Sequence, residues 1–249
     1  MIFSNIVNQS KSSHTNENIV GFMHIGVLGD YKRILEDQLN TLKETSLLSA
    51  TSVVFAGISG QKIDLPKELQ LAIHNPILED GEVETIRYIH NMRKQLVNCK
   101  VWYIHTKGAK WNPGDYNVAY AESWRKYMEH FVLYKWRDCA KALDEYDICG
   151  VEWDYVKMNG VQVSQPDNDA MGRFSGNFWW ANGNYLAQIN QPFPIVNPYG
   201  ANRHQAEFYL GRRNPKVLDF ASGMPVRRHR GQLYTKNIKR SEYINIKML

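Results

Sequence analysis

The first 108 residues of the chain alternate short apolar segments with amphipathic ones, and this alternation constrains the fold more than any other feature. The apolar segments end in glycine or polar turns, which is typical of buried strands. In the amphipathic segments, apolar residues recur at every third or fourth position, as on one face of a helix. Strands that alternate with helices predict a mostly parallel sheet with helices on both faces. The predicted strands are 19–28, 52–56, 69–73 and 101–108, and the predicted helices are 31–48 and 84–96.

A long helical segment at 119–146 and shorter strands at 147–153 and 174–181 extend this pattern. The chain has 249 residues, of which 43% are apolar, enough to build a substantial core. We therefore expect one α/β domain over residues 19–225, between a flexible polar tail at 1–18 and a basic tail at 226–249. No segment is apolar over the roughly 18 residues that a membrane span needs, and the first residues lack the apolar core of a secretory signal.

The positive charge of the chain is concentrated at its C-terminal end. Residues 226–249 contain seven Lys and Arg residues and one Glu, whereas the net charge of the whole chain is +5. Such a segment suits phosphates, nucleic acid or an anionic membrane, and it is equally typical of a solvated terminus. The cysteines (Cys99, Cys139 and Cys149) form no C-x-x-C pair, which favours a reducing compartment. We therefore expect a cytoplasmic protein, and peripheral membrane contact through the basic tail stays open.

The strand at 101–108 ends in His105, Thr106, Lys107 and Gly108. Ligands of open α/β sheets bind at the carboxyl ends of the strands. An imidazole, a hydroxyl and an ammonium at this edge suit an anionic ligand. The alternative is a polar turn with a solvated lysine.

The segment 174–182 combines four aromatic residues with a serine, a glycine and two asparagines. Glycine lets a ligand approach the backbone, asparagine offers a donor and an acceptor, and tryptophan presents a flat apolar face. Such groups hold sugar rings, although aromatic residues at this density are also typical of a core strand. The candidates for sugar binding are Ser175, Gly176, Asn177, Trp179 and Trp180.

A third segment, 202–210, contains Arg203 and Glu207 four residues apart. On a helix this spacing places both side chains on one face, where they can form an ion pair. In the functional alternative, Glu207 is a general base in a cleft and Arg203 positions it or a ligand. Asp154, at the end of a predicted strand, is a second candidate base.

One further carboxylate pair, Asp167 and Asp169, has the D-x-D spacing that can chelate Mg²⁺ or Mn²⁺. A surface turn is the alternative for these two residues. The sequence lacks the P-loop, G-x-G-x-x-G, G-x-S-x-G and H-E-x-x-H motifs. Their absence disfavours a P-loop ATPase, a dinucleotide oxidoreductase, a serine hydrolase of the elbow type and a zincin.

Three segments of the chain, in their order, resemble a family of small glycosyltransferases of the GT-A fold. The family occurs in large DNA viruses and bacteria and includes viral rhamnosyltransferase domains. It carries a Tyr-x-His-Thr-Lys-Gly strand end, a Trp-Arg in the following helix and a Phe-Ser-Gly-Asn-Phe-Trp-Trp-Ala segment. In this chain these are residues 103–108, Trp124-Arg125 and residues 174–181. The resemblance implies a Rossmann-like, single-domain GT-A fold.

The resemblance also implies a nucleoside-diphosphate sugar bound by the first strands and a glycan or lipid-linked acceptor near residues 174–181 and Arg203. Glu84-Thr85 stands where the family shows a Glu-x-x-Thr-Leu-like pattern, from which this chain departs by one residue. The donor-binding residues implied in this way are His24, Asp30, Glu84, Thr85, His105, Thr106, Lys107 and Gly108.

GT-A enzymes usually place a D-x-D at the strand end that binds the metal and the diphosphate. Here His105-Thr106-Lys107 takes that place, so a lysine can supply the positive charge itself. A requirement for Mn²⁺ or Mg²⁺ therefore stays open, and the candidate ligands are His105, Asp154 and Asp169.

The implied reaction is transfer of the sugar to an acceptor hydroxyl with inversion, with Glu207, or secondly Asp154, as the base. The alternative is a non-catalytic module that binds a nucleotide sugar or a carbohydrate. A nucleic-acid binder, which the basic tail would favour, is not expected.

Overall fold

The computed structural model describes residues 18–111, 114–157, 159–163, 170–193, 202–222 and 237–246. The strands are β1 (Asn18–Val27), β2 (Thr51–Gly60), β3 (Gln70–Asn75), β4 (Cys99–His105), β5 (Ile148–Gly150), β6 (Trp153–Lys157), β7 (Gln162–Val163), β8 (Ala170–Phe174), β9 (Trp179–Asn182) and β10 (Val217–Asp219). The α-helices are α1 (Tyr31–Glu44), α2 (Leu47–Ala50), α3 (Val83–Met92), α4 (Val118–Glu129), α5 (Trp136–Ala142) and α6 (Gly183–Leu186). A π-helical turn spans His130–Tyr134, and 3₁₀ segments span Leu78–Asp80, Asn202–Phe208, Leu210–Arg213 and Arg240–Glu242.

Seven strands form a mostly parallel central sheet in the order β10-β5-β9-β4-β1-β2-β3. Strand β9 alone among them runs antiparallel to its neighbours β4 and β5. The chain adds β2 and β3 on one side of β1 and then places β4 on the other side, so the strand order reverses between β1 and β4. In open α/β sheets such a switch point is where ligands bind. His24 and His105 are register partners at this edge.

Two hydrophobic clusters cover the two faces of the sheet, because successive side chains of a strand point to opposite faces. Met23 and Ile25 of β1 belong to the cluster with α1, α4 and α5, whereas Val20 and Phe22 belong to the cluster with α3 and α6. The predicted mixed α/β architecture, with a mostly parallel sheet and helices, is therefore confirmed.

A second, three-stranded sheet has the order β7-β6-β8, and all its pairings are antiparallel. Asp154 and Arg173 are register partners in it. The neighbouring Gly172 lies under the Trp153 indole, where a Cβ atom would come within 2.2 Å of the ring. This close packing fixes β8 against β6 and sets the position of Arg173.

The single strand predicted at 174–181 is split in the structure, so this prediction is wrong in detail. Strand β8 ends at Phe174 and β9 begins at Trp179. Between them, Gly176 and Asn177 adopt φ angles of +91° and +57°. Glycine and asparagine are the residues that tolerate this left-handed region best, and they turn the chain here.

Part of the segment predicted as a basic tail is packed against the domain. Ile238 and Tyr243 are 4% exposed and belong to the cluster that includes α4. The Tyr243 ring lies 5.3 Å from that of Tyr127 and 5.1 Å from that of His130, measured between centroids. The predicted tail at 1–18 lies outside the described residues, except for Asn18 in β1. Among the described helices, none is long and apolar enough to cross a membrane.

Candidate functional site

A cavity of about 370 Å³ opens at the switch point between β1 and β4. Its walls come from the ends of β1 and β2, the segment 78–82, the segment 105–111 after β4, Ala121 of α4 and the 3₁₀ segment with Arg203, His204 and Glu207. The first and third motifs of the sequence therefore meet in one cavity, although they lie far apart in the chain.

The end of β4 is held rigidly by hydrogen bonds to the end of β1. The Thr106 N–H donates to the His24 carbonyl at 3.0 Å, and the Thr106 hydroxyl accepts from the Gly26 N–H at 3.1 Å. Thr106 therefore joins the two strands that flank the switch point, besides lining the cavity. Gly108 follows with a φ of +90°, and its Cα faces the Cβ of Ala121.

Lys107 and Lys110 bring positive charge to the cavity wall. The Lys107 ammonium lies 3.7 Å from the centroid of the Trp124 ring, which orients it by a cation–π contact. The Lys110 ammonium lies 4.5 Å from the centroid of Trp111, whose indole also lines the cavity. Two ammonium groups on one short loop suit a phosphate-bearing ligand.

Two of the three histidines that line the cavity, His24 and His105, are neutral at physiological pH. Burial lowers the pKa of His105 to about 3, and the charge of Lys107 lowers it further. The hydrogen bond to the Gly176 carbonyl acts in the opposite direction. Because that carbonyl can only accept, His105 Nε2 donates to it, at 2.9 Å. Burial likewise lowers the pKa of His24 to about 4, with a smaller opposing effect of Glu82. His24 Nδ1 lies 2.8 Å from the Thr85 hydroxyl, so Thr85 holds the His24 ring in place without lining the cavity itself.

Glu82 is a cavity residue that the sequence interpretation missed. Its Oε2 accepts from the Tyr103 hydroxyl at 2.5 Å and from Asn177 Nδ2 at 2.8 Å. Burial raises the pKa of the Glu82 carboxyl, against the lowering effects of His24, Tyr103, Asn177 and Lys107. The missed signal was the spacing, because Glu82 stands three residues before Thr85, as in a Glu-x-x-Thr pattern.

Three of the predicted donor-binding residues, Asp30, Glu84 and Thr85, are not among the described residues that line the cavity. Glu84 pairs with Arg87 on the surface of α3 at 3.1 Å, and Asp30 pairs with Arg33 at 2.5 Å. The loop that holds Asp30 is nevertheless close to the site, since the Asp30 N–H donates to the Ala109 carbonyl at 3.0 Å.

The two candidate bases, Glu207 and Asp154, are joined by a buried arginine. Arg173 is 1% exposed; its Nε donates to Asp154 at 3.0 Å and its Nη1 donates to Glu207. Of the two carboxylates, Glu207 lines the cavity, and its other oxygen lies 3.3 Å from His204 Nδ1. The predicted Arg203–Glu207 ion pair does not form; the exposed Arg203 lines the cavity without an ion pair to any described residue.

The chain matches a family model over residues 26–206, that of a domain of unknown function, DUF8361. The chain belongs to this family. No curated protein and no solved structure matches it. The matched part of the DUF8361 chain includes the strand end at 105–108, Glu82 and the segment 174–182.

In this DUF8361 member, the second motif supports the site instead of lining it, contrary to the expected contact with a sugar. Trp179 and Trp180 are fully buried, and their indole N–H groups donate to Asn177 Oδ1 and to the Val132 carbonyl. Ser175 is 3% exposed, and its hydroxyl donates to Asp154 at 3.2 Å. The segment also includes Gly176, whose carbonyl receives the His105 hydrogen bond. None of the five candidates for sugar binding in this segment, Ser175, Gly176, Asn177, Trp179 and Trp180, lines the described cavity.

The candidate metal ligands do not come together among the described residues, where no group of three His, Cys, Asp or Glu side chains could hold a metal ion. Asp154 is engaged by Arg173 and His105 by Gly176. Asp169 lies outside the described residues, as does the rest of its D-x-D.

Proposed function

We propose that this DUF8361 protein is a glycosyltransferase of the GT-A type, which moves a sugar from a nucleoside diphosphate to a hydroxyl of a glycan or glycoconjugate. One observation carries the proposal: Lys107, at the end of β4, and Glu207, from the last third of the chain, line the same cavity at the switch point. A cation for a diphosphate and a carboxylate for an acceptor proton are the two groups that this transfer needs.

The order and direction of the strands support a GT-A fold, which the resemblance to the GT-A glycosyltransferases implies. Strands β1 to β4 are parallel, with β4 beside β1, an arrangement that suits a nucleotide-binding half of Rossmann type. From the later part of the chain, the 3₁₀ segment Asn202–Phe208 brings Arg203, His204 and Glu207 to the same cavity, and Arg173 of the second sheet contacts Glu207. A donor half and an acceptor half around one cleft is the arrangement that the family implies.

In the proposed reaction, the acceptor oxygen attacks the anomeric carbon while Glu207 takes the hydroxyl proton. The new carbon–oxygen bond forms as the bond to the diphosphate breaks, and the configuration at that carbon inverts. Lys107 and Lys110 stabilise the negative charge that the leaving diphosphate gains. Arg173 holds Glu207 in place, and Asp154, outside the cavity lining, is a support for Arg173 in this mechanism.

The described residues do not fit the metal site that a GT-A D-x-D would build, because β4 ends in His105, Thr106 and Lys107. We therefore assign no step to a divalent metal ion. In the proposed mechanism, Lys107 and Lys110 provide the positive charge that stabilises the diphosphate. Assays with and without Mn²⁺ or Mg²⁺ test this part of the proposal directly.

The proposal is tested by incubating the protein with a panel of nucleotide sugars and measuring donor hydrolysis and transfer. We expect turnover of at least one donor. Glu207→Gln should lower its rate at least about a hundredfold, because the amide cannot take the proton. Glu145→Gln, which removes an exposed carboxylate after α5, is the matched control. A Glu207→Gln rate within tenfold of the wild type would show that Glu207 is not the base.

The second candidate is a non-catalytic module that binds a nucleotide sugar. The ion pair between Glu207 and Arg173 favours it, since a guanidinium stabilises the ionised carboxylate and weakens it as a base. This candidate predicts that a nucleotide sugar binds and is recovered intact after prolonged incubation, whereas a transferase consumes it.

A further inference from the structure

Glu82 is held by an ordered chain of hydrogen bonds that starts in the core. The Trp179 indole N–H donates to Asn177 Oδ1 at 2.9 Å, and Asn177 Nδ2 donates to Glu82 Oε2. The Tyr103 hydroxyl donates to the same oxygen. Two donors on one oxygen leave the carboxylate a single orientation, so this network fixes where the other oxygen, Oε1, is placed.

The second oxygen of Glu82 has no donor within the described part of the chain. His105 Nε2 lies 3.8 Å from Oε1 and gives its proton to the Gly176 carbonyl instead. Glu82 nevertheless lines the cavity, where its side chain is 16% exposed. Since Glu82 stands at the cavity wall, a ligand that supplies a hydrogen-bond donor can replace the water that would otherwise satisfy Oε1.

The surroundings of Glu82 select a neutral donor over a phosphate. A carboxylate repels phosphate oxygens, and Lys107 and Lys110 already provide cations on the segment after β4. The neighbouring histidines, His24 and His105, are neutral. A hydroxyl group is neutral, donates one hydrogen bond and is abundant on both the ribose and the sugar of a nucleotide sugar.

We propose that Glu82 binds a hydroxyl group of the donor substrate and that the Asn177–Trp179 segment serves to orient Glu82. The inference rests on the proposed function, which supplies the ligand class. It gives Glu82 a role in donor selection and assigns a structural role to residues that resemble a sugar-binding motif. Glu82 is a binding residue in this account and takes no part in proton transfer.

The test is a comparison of ligands by calorimetry, with UDP and GDP, their 2′-deoxy and 3′-deoxy analogues, and UDP-glucose and GDP-mannose. If Glu82 binds the ribose, removing one ribose hydroxyl should weaken binding to the wild type about tenfold, the usual effect of losing a charge-assisted hydrogen bond. If it binds the sugar, the nucleotide sugar should bind more tightly than the diphosphate by a similar factor.

The wild type is expected to show one of these two differences in affinity. In Glu82→Gln, the same ratio of affinities should fall to less than threefold. The ratio between a diphosphate and its deoxy analogue is informative because both ligands carry the same charge, so the loss of charge repulsion affects both equally. Glu145→Gln should leave the ratio unchanged. Tyr103→Phe, which removes one of the two donors to Oε2, should give an intermediate ratio.

A wild-type protein that binds a nucleotide sugar with no preference in any of these comparisons would overturn the inference and leave the proposed function standing. This measurement needs no variant, so it decides even if Glu82→Gln fails to fold. A ratio that persists in a folded Glu82→Gln variant would overturn the inference as well. Failure of the wild type to bind any of the nucleotides would overturn both the inference and the proposed function.

Discussion

His24 and His105 show how single residues at this site depend on burial. Each is surrounded by the ends of β1 and β4, and each has a pKa far below the 6.5 of an exposed histidine. Their neutrality means that neither of them adds positive charge to the cavity, whereas Lys107, Lys110 and Arg203 do. It also means that folding is linked to pH, because the unfolded chain protonates both residues at a higher pH than the folded one does.

We expect the free energy of unfolding to fall when the pH is lowered from 7.0 to 5.5. The unfolded state binds protons below pH 6.5, whereas folded His24 and His105 stay neutral down to about pH 4 and about pH 3. Each contributes a slope of about 1.4 kcal/mol per pH unit below 6.5. His130, whose pKa is lowered to about 4, adds to this, and the raised pKa of Glu82 opposes it.

Urea unfolding at the two pH values measures this effect, and a loss of about 2 kcal/mol is expected. His105→Asn should reduce the slope, because it removes one of the groups responsible. A protein equally stable at both pH values, or more stable at pH 5.5, would contradict the linkage.

Among the secondary-structure elements, helix α3 depends on a close approach to β2. Thr85 of α3 packs directly against Gly57 of β2, where a Cβ atom would lie 2.0 Å from the Thr85 hydroxyl oxygen. The same hydroxyl contacts His24. The absence of a side chain at one position of β2 therefore allows the N-terminus of α3, with Glu82 just before it, to reach the cavity.

We predict that Gly57→Ala displaces Thr85, lowers the free energy of unfolding by about 1–3 kcal/mol and weakens nucleotide binding. The matched control for stability is Gly26→Ala on the adjacent strand, where a Cβ atom would meet the flexible end of Leu28 at 3.1 Å; because Gly26 lines the cavity, it is not a control for binding. Urea unfolding and calorimetry measure the two effects. Equal stability of the two variants would show that the contact between Gly57 and Thr85 is easily accommodated.

The sequence allowed prediction of the elements whose pattern is local. The strands that became β1, β2 and β4 are apolar runs with clear ends, and their alternation with helices predicts a parallel sheet. The reversal of β9 could not be predicted, because its direction depends on the turn at 175–178 and on packing between distant elements. The single long helix expected at 119–146 is interrupted by the π-helical turn at 130–134, which periodicity over a long window does not reveal.

The candidate site was predictable where one segment carries it, as in His105 to Gly108. It was less predictable where side chains from distant segments meet. Arg173 precedes the aromatic motif and has no distinctive neighbours in the sequence, yet it joins Asp154 and Glu207. Trp179 and Trp180 were candidates for sugar binding, with a core strand as the alternative, and only the tertiary packing shows that both are buried.

For the fold as a whole, the segment 237–246 closes the face of the sheet that carries α4. Tyr243 inserts among Tyr127, His130 and Phe131, with ring centroids 5.1 to 6.2 Å away. The Ile238 N–H donates to the Ser123 hydroxyl at 3.3 Å. Residues near the end of the chain therefore contribute to the same core as β1.

We predict that Tyr243→Ala lowers the free energy of unfolding by about 3 kcal/mol, because it leaves a cavity among packed rings. Asn245→Ala, two residues further on and exposed, is the control and should change stability by less than about 0.5 kcal/mol. Urea unfolding of both variants provides the comparison. Similar stabilities would mean that the segment 237–246 adds nothing to the core.

The two tryptophans of β9 fix the register of this strand and so link the packing of the core to the geometry of the cavity. Trp179 stacks on Tyr103 on one face of the sheet, and Trp180 lies opposite Trp102 with its side chain in the cluster of the other face. A shift of one residue would exchange the two faces, so the strand has a single permitted register. Asn177, two residues before Trp179, is therefore placed by the hydrophobic core, and changes to the packing of β9 should be felt as changes in ligand affinity.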